Sequence, residues 1–160
     1  MREKHCIFPG SFNPFTLGHR HLIEKALERF EGVTVAVAAE TYKDEMLAPE
    51  IRAEIARKSL ADLPAVDVQY FEGMLTDFLK TNDCFDIVRG YRDDRDFEYE
   101  KELERIYVSM DRRVNFTLIR SELCDISSER VRNAVKCGES ADGLVSEAVV
   151  SDIVKLYGNK

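Results

Sequence analysis

The sequence contains little glycine and proline and no long apolar run. Its 160 residues include 8 Gly and 4 Pro, and this scarcity excludes collagen-like and low-complexity chains. No stretch approaches the roughly 18 consecutive apolar residues of a membrane span, and the apolar run after Met1–His5 is too short for a signal peptide. We therefore expect a cytoplasmic protein that forms a single domain over residues 1–160, because chains of roughly 100–200 residues usually build one core.

The cysteines are too scattered to form a metal-binding motif. They show neither a C-x-x-C pair nor the Cys/His spacing of a zinc site, and this predicts free, mostly buried thiols at Cys6, Cys84, Cys124 and Cys137. His19 and His21 are two positions apart on a predicted helix, so they do not share a face. The sequence therefore predicts no protein-built metal site.

Acidic residues outnumber basic ones, 30 to 23, which gives a formal net charge of −7. A protein that coats nucleic acid or an anionic membrane needs a broad positive surface, so both kinds of partner are excluded. A small anionic ligand remains compatible with this charge, because a local cluster of Arg and Lys can outweigh distant carboxylates.

Short apolar strands alternate with amphipathic helices along the chain. The predicted strands cover residues 6–8, 33–39, 66–71, 85–88 and 114–119. The predicted helices cover residues 22–30, 49–60, 75–79, 97–110, a segment after Ser127, and 146–157. Val33–Ala39 is apolar almost throughout, which is typical of a parallel strand covered on both faces. This pattern predicts an α/β fold with a doubly wound, five-stranded parallel sheet and helices on both faces, whose ligands bind beyond the carboxyl ends of the strands.

The loop after the first predicted strand, Pro9–His19, is the most informative segment. Its end falls where the first helix should begin, and the unpaired N–H groups and the dipole of a helix N-terminus favour an anion. Gly18 allows close approach to the backbone, and His19 offers a donor. The alternative is an ordinary turn with a surface histidine, and the combination of residues favours the anion site.

Ser11–Pro14 followed by Thr16–His19 resembles the T/HxGH motif of the nucleotidyltransferase superfamily. The resemblance is strongest to the phosphopantetheine adenylyltransferase family of bacterial coenzyme A biosynthesis. It continues, in order, through Ala38-Ala39, Lys43, Val88–Arg92, Asp96–Glu100 and Ile126–Ser128. It implies a Rossmann-like fold and transfer of the adenylyl group of ATP to 4'-phosphopantetheine, giving dephospho-coenzyme A and pyrophosphate.

The resemblance also implies roles for individual residues. The implied catalytic residues are Ser11, His19, Lys43 and Arg92. The implied ligands of 4'-phosphopantetheine are Ser11, Lys43, Leu75 and Arg89. The implied ATP-binding residues are Ser11, Phe12, His19, Gly90, Tyr91, Arg92, Glu100, Ile126, Ser127 and Ser128. Mg²⁺ is implied by the triphosphate, and a homohexamer is implied by the family.

The residues themselves fit this chemistry. A phosphate acceptor is already ionised at neutral pH, so positioning and charge stabilisation carry the reaction without a strong base. His19 would stabilise charge on the α-phosphate. Lys43 follows the second predicted strand and Arg89 ends the fourth, so we expect both cations at the same edge of the sheet.

Other interpretations remain open. Lys43 could be a solvated loop residue, and Arg92 and Arg95 could pair only with the acidic residues Asp93, Asp94 and Asp96. The chain departs from the family pattern at Ile106, Tyr107, Arg120 and Glu129. The alternatives are an adenylyl- or cytidylyltransferase for another phosphorylated acceptor and a non-catalytic nucleotide-binding relative. For Glu129, we expect Arg130 or Arg132 to pair with its carboxylate or to reach the phosphates.

Overall fold

The computed structural model describes residues 3–39 and 46–158 of the protein. The strands are β1 Glu3–Gly10, β2 Phe30–Ala38, β3 Val66–Phe71, β4 Asp86–Tyr91 and β5 Asn115–Arg120. The helices are α1 Leu17–Ala26, α2 Pro49–Ser59, α3 Leu75–Thr81, α4 Asp94–Met110, α5 Ser128–Lys136 and α6 Val150–Tyr157, with a short 3₁₀ helix at Glu147–Val149. None of the helices in these ranges is long and apolar enough to span a membrane.

The strands form one parallel sheet in the order β3-β2-β1-β4-β5. The chain winds outward from β1 through β2 to β3 and then returns to place β4 on the other side of β1. The direction of winding therefore reverses between β1 and β4, and a doubly wound sheet leaves a crevice at the carboxyl ends of such a pair. The predicted fold class is confirmed.

Helices cover both faces of the sheet, as the alternation of strand side chains requires. Cys6 and Phe8 point into a core shared with α1, α2, α5 and α6, whereas Ile7 between them points into a core shared with α3 and α4. In β2, Val33, Val35 and Val37 face the first core. The central residues of these strands are mostly apolar because both of their faces are buried.

Two element boundaries differ from the prediction in ways that affect the crevice. The first helix begins at Leu17 and ends at Ala26, so Phe30 is fully buried as the first residue of β2 instead of closing the helix. Strand β4 continues to Tyr91, so Arg89 lies within the strand and not at its end. The pairing of β4 with its neighbouring strands therefore fixes the direction of the Arg89 side chain.

The cysteines are free, as predicted, but they are not mostly buried. Cys6 is buried and Cys84 is half-buried, whereas Cys124 and Cys137 are exposed. The burial predicted for the last two is wrong, because Cys124 lies in the loop after β5 and Cys137 lies just beyond the end of α5.

Candidate active site

A cleft of about 890 Å³ opens at the carboxyl ends of β1 and β4. Most of the predicted site residues line it, namely Ser11, Phe12, His19, Leu75, Arg89, Gly90, Tyr91, Arg92, Ile126, Ser127 and Ser128. Glu100 packs against Arg89 instead of lining the cleft. Lys43 lies outside the described residues. The fold thus brings together segments that are far apart in the sequence.

The N-terminus of α1 faces this cleft and fixes the state of His19. The backbone N–H of Thr16 donates to Nδ1 of His19 over 3.0 Å, and the backbone N–H of His19 donates to Thr16 Oγ1 over 3.3 Å. Because Nδ1 accepts a hydrogen bond, the proton of the neutral ring lies on Nε2. A Cβ atom at Gly18 would lie 3.2 Å from the carbonyl oxygen of Ile126, so glycine lets α1 approach this loop closely.

Aromatic rings surround the His19 imidazole. The ring centroids of Phe8, Phe12 and Phe15 lie 6.2, 4.9 and 5.3 Å from the His19 centroid. Burial, with a smaller contribution from the positive charge of Arg89, lowers the His19 pKa from 6.5 to about 4. In the free protein, His19 is therefore a neutral hydrogen-bond donor at neutral pH.

The lowered His19 pKa predicts a loss of stability in acid. In the unfolded chain His19 takes up a proton below about pH 6.5, whereas the folded ring resists until about pH 4, so the unfolded state binds more protons in this window. Stability should therefore fall as the pH is lowered, with His19 contributing about 1–2 kcal/mol of the loss between pH 7 and pH 5. Urea unfolding at both pH values should show a smaller loss for His19→Asn, and an equal loss in both proteins would contradict the assignment.

Helices α5 and α6 hold the loop between β1 and α1. Arg132 Nη1 donates to the backbone oxygen of Asn13 over 2.7 Å, and the Tyr157 hydroxyl donates to the Asn13 side-chain oxygen. Ser128 Oγ donates to the backbone oxygen of Pro14 over 2.7 Å. Burial raises the pKa of Tyr157, so its hydroxyl stays protonated and able to donate. None of these contacts was predicted from the sequence.

Arg89 is fixed by a buried carboxylate. Its Nε and Nη2 donate to the two carboxylate oxygens of Glu100 over 2.9 and 2.8 Å, and its Nη1 donates to the backbone oxygen of Pro9 over 3.1 Å. Glu100 is 5% exposed, whereas the Arg89 side chain keeps 26% of its surface. Nη1 and Nη2 each retain a second N–H, so a fixed cation faces the cleft.

Arg92 both lines the cleft and pairs with an acidic residue, which are the two possibilities that the sequence left open. Its Nε donates to Asp96 Oδ2 over 2.9 Å, and both residues line the cleft. The backbone N–H of Arg92 donates to the same carboxylate. Arg95 is exposed, and Asp93 caps α4 by accepting the N–H of Asp96 over 2.9 Å. The guanidinium of Arg92 is thus available at the cleft but paired before any ligand arrives.

The N-terminus of α5 also lines the cleft, next to the N-terminus of α1. Ser127 caps it by accepting the backbone N–H of Arg130 over 3.0 Å, and Glu129 also lines the cleft. Of the two possibilities for Arg130 and Arg132, pairing with Glu129 is not what the structure shows. Arg130 instead contacts Asp125 at 3.1 Å, and Arg132 is used by the loop at Asn13.

The other end of the cleft is apolar and aromatic. It is lined by Phe71, Leu75, Ile87, Leu103, Tyr107 and Phe116. Of these, only Leu75 was predicted. Tyr99, Leu103 and Tyr107 recur every four residues in α4 and line the cleft, a spacing that indicates one face of a helix. Among the departures from the family pattern, Tyr107 and Glu129 line the cleft, whereas Ile106 and Arg120 are exposed.

A doubly wound parallel sheet with two helix N-termini and fixed arginines at its switch point defines a nucleotide-binding α/β domain. The family model described as cytidylyltransferase-like matches residues 7–134. A phosphopantetheine adenylyltransferase of Moorella thermoacetica is 36% identical over 157 residues, covering 97% of this chain and 98% of the relative. One from Aromatoleum aromaticum is 38% identical over 151 residues, covering 93% of each.

A solved structure shows the same fold. It is a Vibrio parahaemolyticus protein described as a nicotinate-nucleotide adenylyltransferase, with a TM-score of 0.65 and 22% identity over 95% of this chain and 99% of that one. This chain belongs to the cytidylyltransferase-like family of nucleotidyltransferases and, within it, to the phosphopantetheine adenylyltransferases. The resemblance seen in the sequence is confirmed.

Proposed function

We propose that this protein transfers the adenylyl group of ATP to 4'-phosphopantetheine, giving dephospho-coenzyme A and pyrophosphate. The observation that carries the proposal is one cleft in which a neutral His19, the fixed Arg89 and the N-termini of α1 and α5 converge. The similarity to phosphopantetheine adenylyltransferases over nearly the whole chain supports the choice of acceptor.

The chemistry is a direct in-line displacement. An ionised oxygen of the acceptor phosphate forms a bond to the α-phosphorus of ATP, and the bond from that phosphorus to the oxygen bridging to the β-phosphate breaks. Pyrophosphate leaves with the bonding electron pair, and no proton has to be removed from the nucleophile. Nε2–H of His19 donates to the α-phosphate as negative charge develops there.

The remaining residues divide between the two substrates. Ser11, Leu75 and Arg89 bind the acceptor in this proposal, and its pantetheine arm lies along the apolar end of the cleft. Lys43, outside the described residues, is assigned to the acceptor phosphate. ATP contacts are assigned to Ser11, Phe12, His19, Gly90, Tyr91, Arg92, Ile126, Ser127 and Ser128. Glu100 acts on substrate only through Arg89, because its carboxylate is occupied by that guanidinium.

In this proposal, Mg²⁺ binds together with ATP. Within residues 3–39 and 46–158, no three His, Cys, Asp or Glu side chains converge on a point that could hold a metal. The Asp96 carboxylate, which lines the cleft, is paired with Arg92. The described part of the chain therefore offers no Mg²⁺ cage, and in this proposal the ATP phosphates and water would be the ligands. When bound, Mg²⁺ neutralises charge on the triphosphate.

We also assign the protein to the cytoplasm and expect it to form a homohexamer. Two large apolar side chains of α4 that do not line the cleft are exposed in the single chain, Ile106 by 43% and Met110 by 50%, and a partner subunit would cover them. Sedimentation velocity of the purified protein tests the assembly, and a monomer at micromolar concentration would contradict it.

Pyrophosphate release tests the proposed function. The assay compares ATP with CTP as donor and 4'-phosphopantetheine with other phosphorylated acceptors, including nicotinate mononucleotide. Release that requires both ATP and 4'-phosphopantetheine supports the proposal. Preference for another acceptor or for CTP would change the substrate, and no release with any pair would make the chain a non-catalytic relative.

Glu129 is expected to weaken ATP binding. Its carboxylate lies in the first turn of α5 with neither neighbouring arginine paired to it, so it complements the positive helix end that an ATP phosphate would use. Glu129→Ser should bind ATP about two- to fivefold more tightly, since such a charge interaction is worth about 0.3–1 kcal/mol, and should melt at a slightly lower temperature. Calorimetry measures both, with Glu129→Gln as the control of equal size. Unchanged ATP affinity would show that the carboxylate points away from the nucleotide.

A further inference from the structure

Arg52, in α2, is a buried cation whose hydrogen bonds within the described residues all go to main-chain oxygens. Its side chain is 0% exposed. Its Nη1 donates to the backbone oxygens of Ser11 over 2.6 Å and Ala38 over 2.9 Å. Its Nε donates to the backbone oxygen of Leu47 over 2.7 Å, and its Nη2 to that of Ala39 over 3.3 Å. The guanidinium therefore has four carbonyl partners and no carboxylate partner among the described residues.

These acceptors lie at three chain segments along one edge of the sheet. Ser11 is the first residue after β1, and Ala38 ends the neighbouring strand β2. Gly10 lies opposite Val37 in the parallel pairing, so the two strand ends are side by side. Leu47 precedes α2. One side chain thus joins the start of the site loop to the end of β2 and to the approach to α2.

Packing alone is a poor explanation for this residue. Burial lowers the Arg52 pKa, so a guanidinium at this place carries a desolvation cost that an apolar side chain of similar volume would avoid. An apolar side chain, however, cannot donate hydrogen bonds at fixed angles to the carbonyl oxygens of three segments. The hydrogen bonds of Arg52 therefore indicate a role in holding the loops in place and not in filling the core.

We propose that Arg52 is a positioning residue for adenylyl transfer, which holds the loop bearing Ser11 in register with the end of β2 so that Ser11 and His19 face the same reacting phosphate. Arg52 does not line the cleft and acts through the backbone of Ser11. This inference rests on the proposed function for its kinetic consequences, but its structural consequence can be measured without any substrate.

The kinetic test uses Arg52→Met, which removes the donors, and Arg52→Lys, which keeps a charge but not the fork of donors. Both should lower kcat about 10- to 100-fold, because a shift of about 1 Å in a catalytic group has effects of that size. The matched control is Ile55→Ala in the same helix: Ile55 is 3% exposed, so the change lowers stability, and it removes no hydrogen-bond donor to the loops. All assays are run below the melting temperature of the least stable variant.

A double-mutant cycle separates positioning from general destabilisation. If Arg52 acts through Ser11, Arg52→Lys should cost much less in a Ser11→Ala background than in wild type, whereas Ile55→Ala should show no such coupling. Additive effects of Arg52→Lys and Ser11→Ala on kcat would overturn the proposal.

Hydrogen–deuterium exchange provides the readout that needs no activity. In Arg52→Lys, peptides covering residues 8–16 and 36–39 should exchange at least about tenfold faster than in Ile55→Ala matched for stability. Equal exchange in the two variants would overturn the positioning role, whatever the enzyme does. Wild-type protein that releases no pyrophosphate, with exchange still faster in Arg52→Lys, would refute the proposed function and leave the loop contact standing.

Discussion

Replacement of His19 by alanine is expected to lower kcat about 10²–10³-fold and to leave the KM for ATP nearly unchanged. The ring is held by its hydrogen bond from Thr16 and by the surrounding aromatic rings, so Nε2–H is in place before the substrate binds. A donor fixed in this way contributes most when charge develops on the α-phosphate, which is a transition-state effect. Steady-state pyrophosphate release measures both constants.

Two further variants identify which nitrogen matters. The amide nitrogen of glutamine can approach the place of Nε2, whereas that of asparagine lies nearer to Nδ1, so His19→Gln should retain more activity than His19→Asn. Near-normal turnover in His19→Ala would remove the residue from the mechanism. Equal losses in the glutamine and asparagine variants would show that the donor position is not what the reaction requires.

Replacement of Arg89 by methionine is expected to have two separable effects. It leaves Glu100 buried without its partner, which should lower the free energy of unfolding by about 3 kcal/mol. It also removes a cation from the acceptor side, so the KM for 4'-phosphopantetheine should rise about 10- to 100-fold, and more than the KM for ATP. Urea unfolding and initial rates measure the two effects.

The double variant Arg89→Met/Glu100→Leu tells these effects apart. An apolar pair no longer leaves a buried charge unpaired, so stability should return to near the wild-type value. The KM for the acceptor should remain high, because the cation is still missing. If the KM recovers together with stability, Arg89 serves the fold and does not contact the acceptor. An equal loss of affinity for both substrates in Arg89→Met would also contradict the assignment.

The fold could be predicted because its strands are distinctive. Val33–Ala39 is apolar almost throughout, and strands of this kind belong to parallel sheets buried on both faces. The ends of the helices and strands were harder to predict from the sequence. Nothing in the sequence of Val88–Arg92 shows that β4 continues to Tyr91, since that depends on its pairing with β5, where Tyr91 lies opposite Arg120.

Only the part of the site that lies within one local sequence motif could be predicted. Thr16–His19 contains the capping box and the helix N-terminus within four residues, so a sequence pattern is enough. Arg52 and Tyr157 contact the same loop from 41 and 144 residues away, and their acceptors on Ser11 and Asn13 carry no sequence signal for those partners. Their importance becomes visible only in three dimensions.

The contact between Tyr157 and Asn13 connects the loop after β1 to a small C-terminal helix. Helix α6 spans eight residues, and although Tyr157 itself is buried, Val154 and Leu156 are 50% and 37% exposed. A helix of this length, anchored by the buried side chains of Ile153 and Tyr157, can detach in a local opening that leaves the sheet folded. Such an opening frees Asn13 on one side and loosens the loop that carries Ser11. As the temperature or the denaturant concentration rises, activity should therefore be lost before the sheet unfolds. Enzyme assays then measure the docking of α6 and not global unfolding.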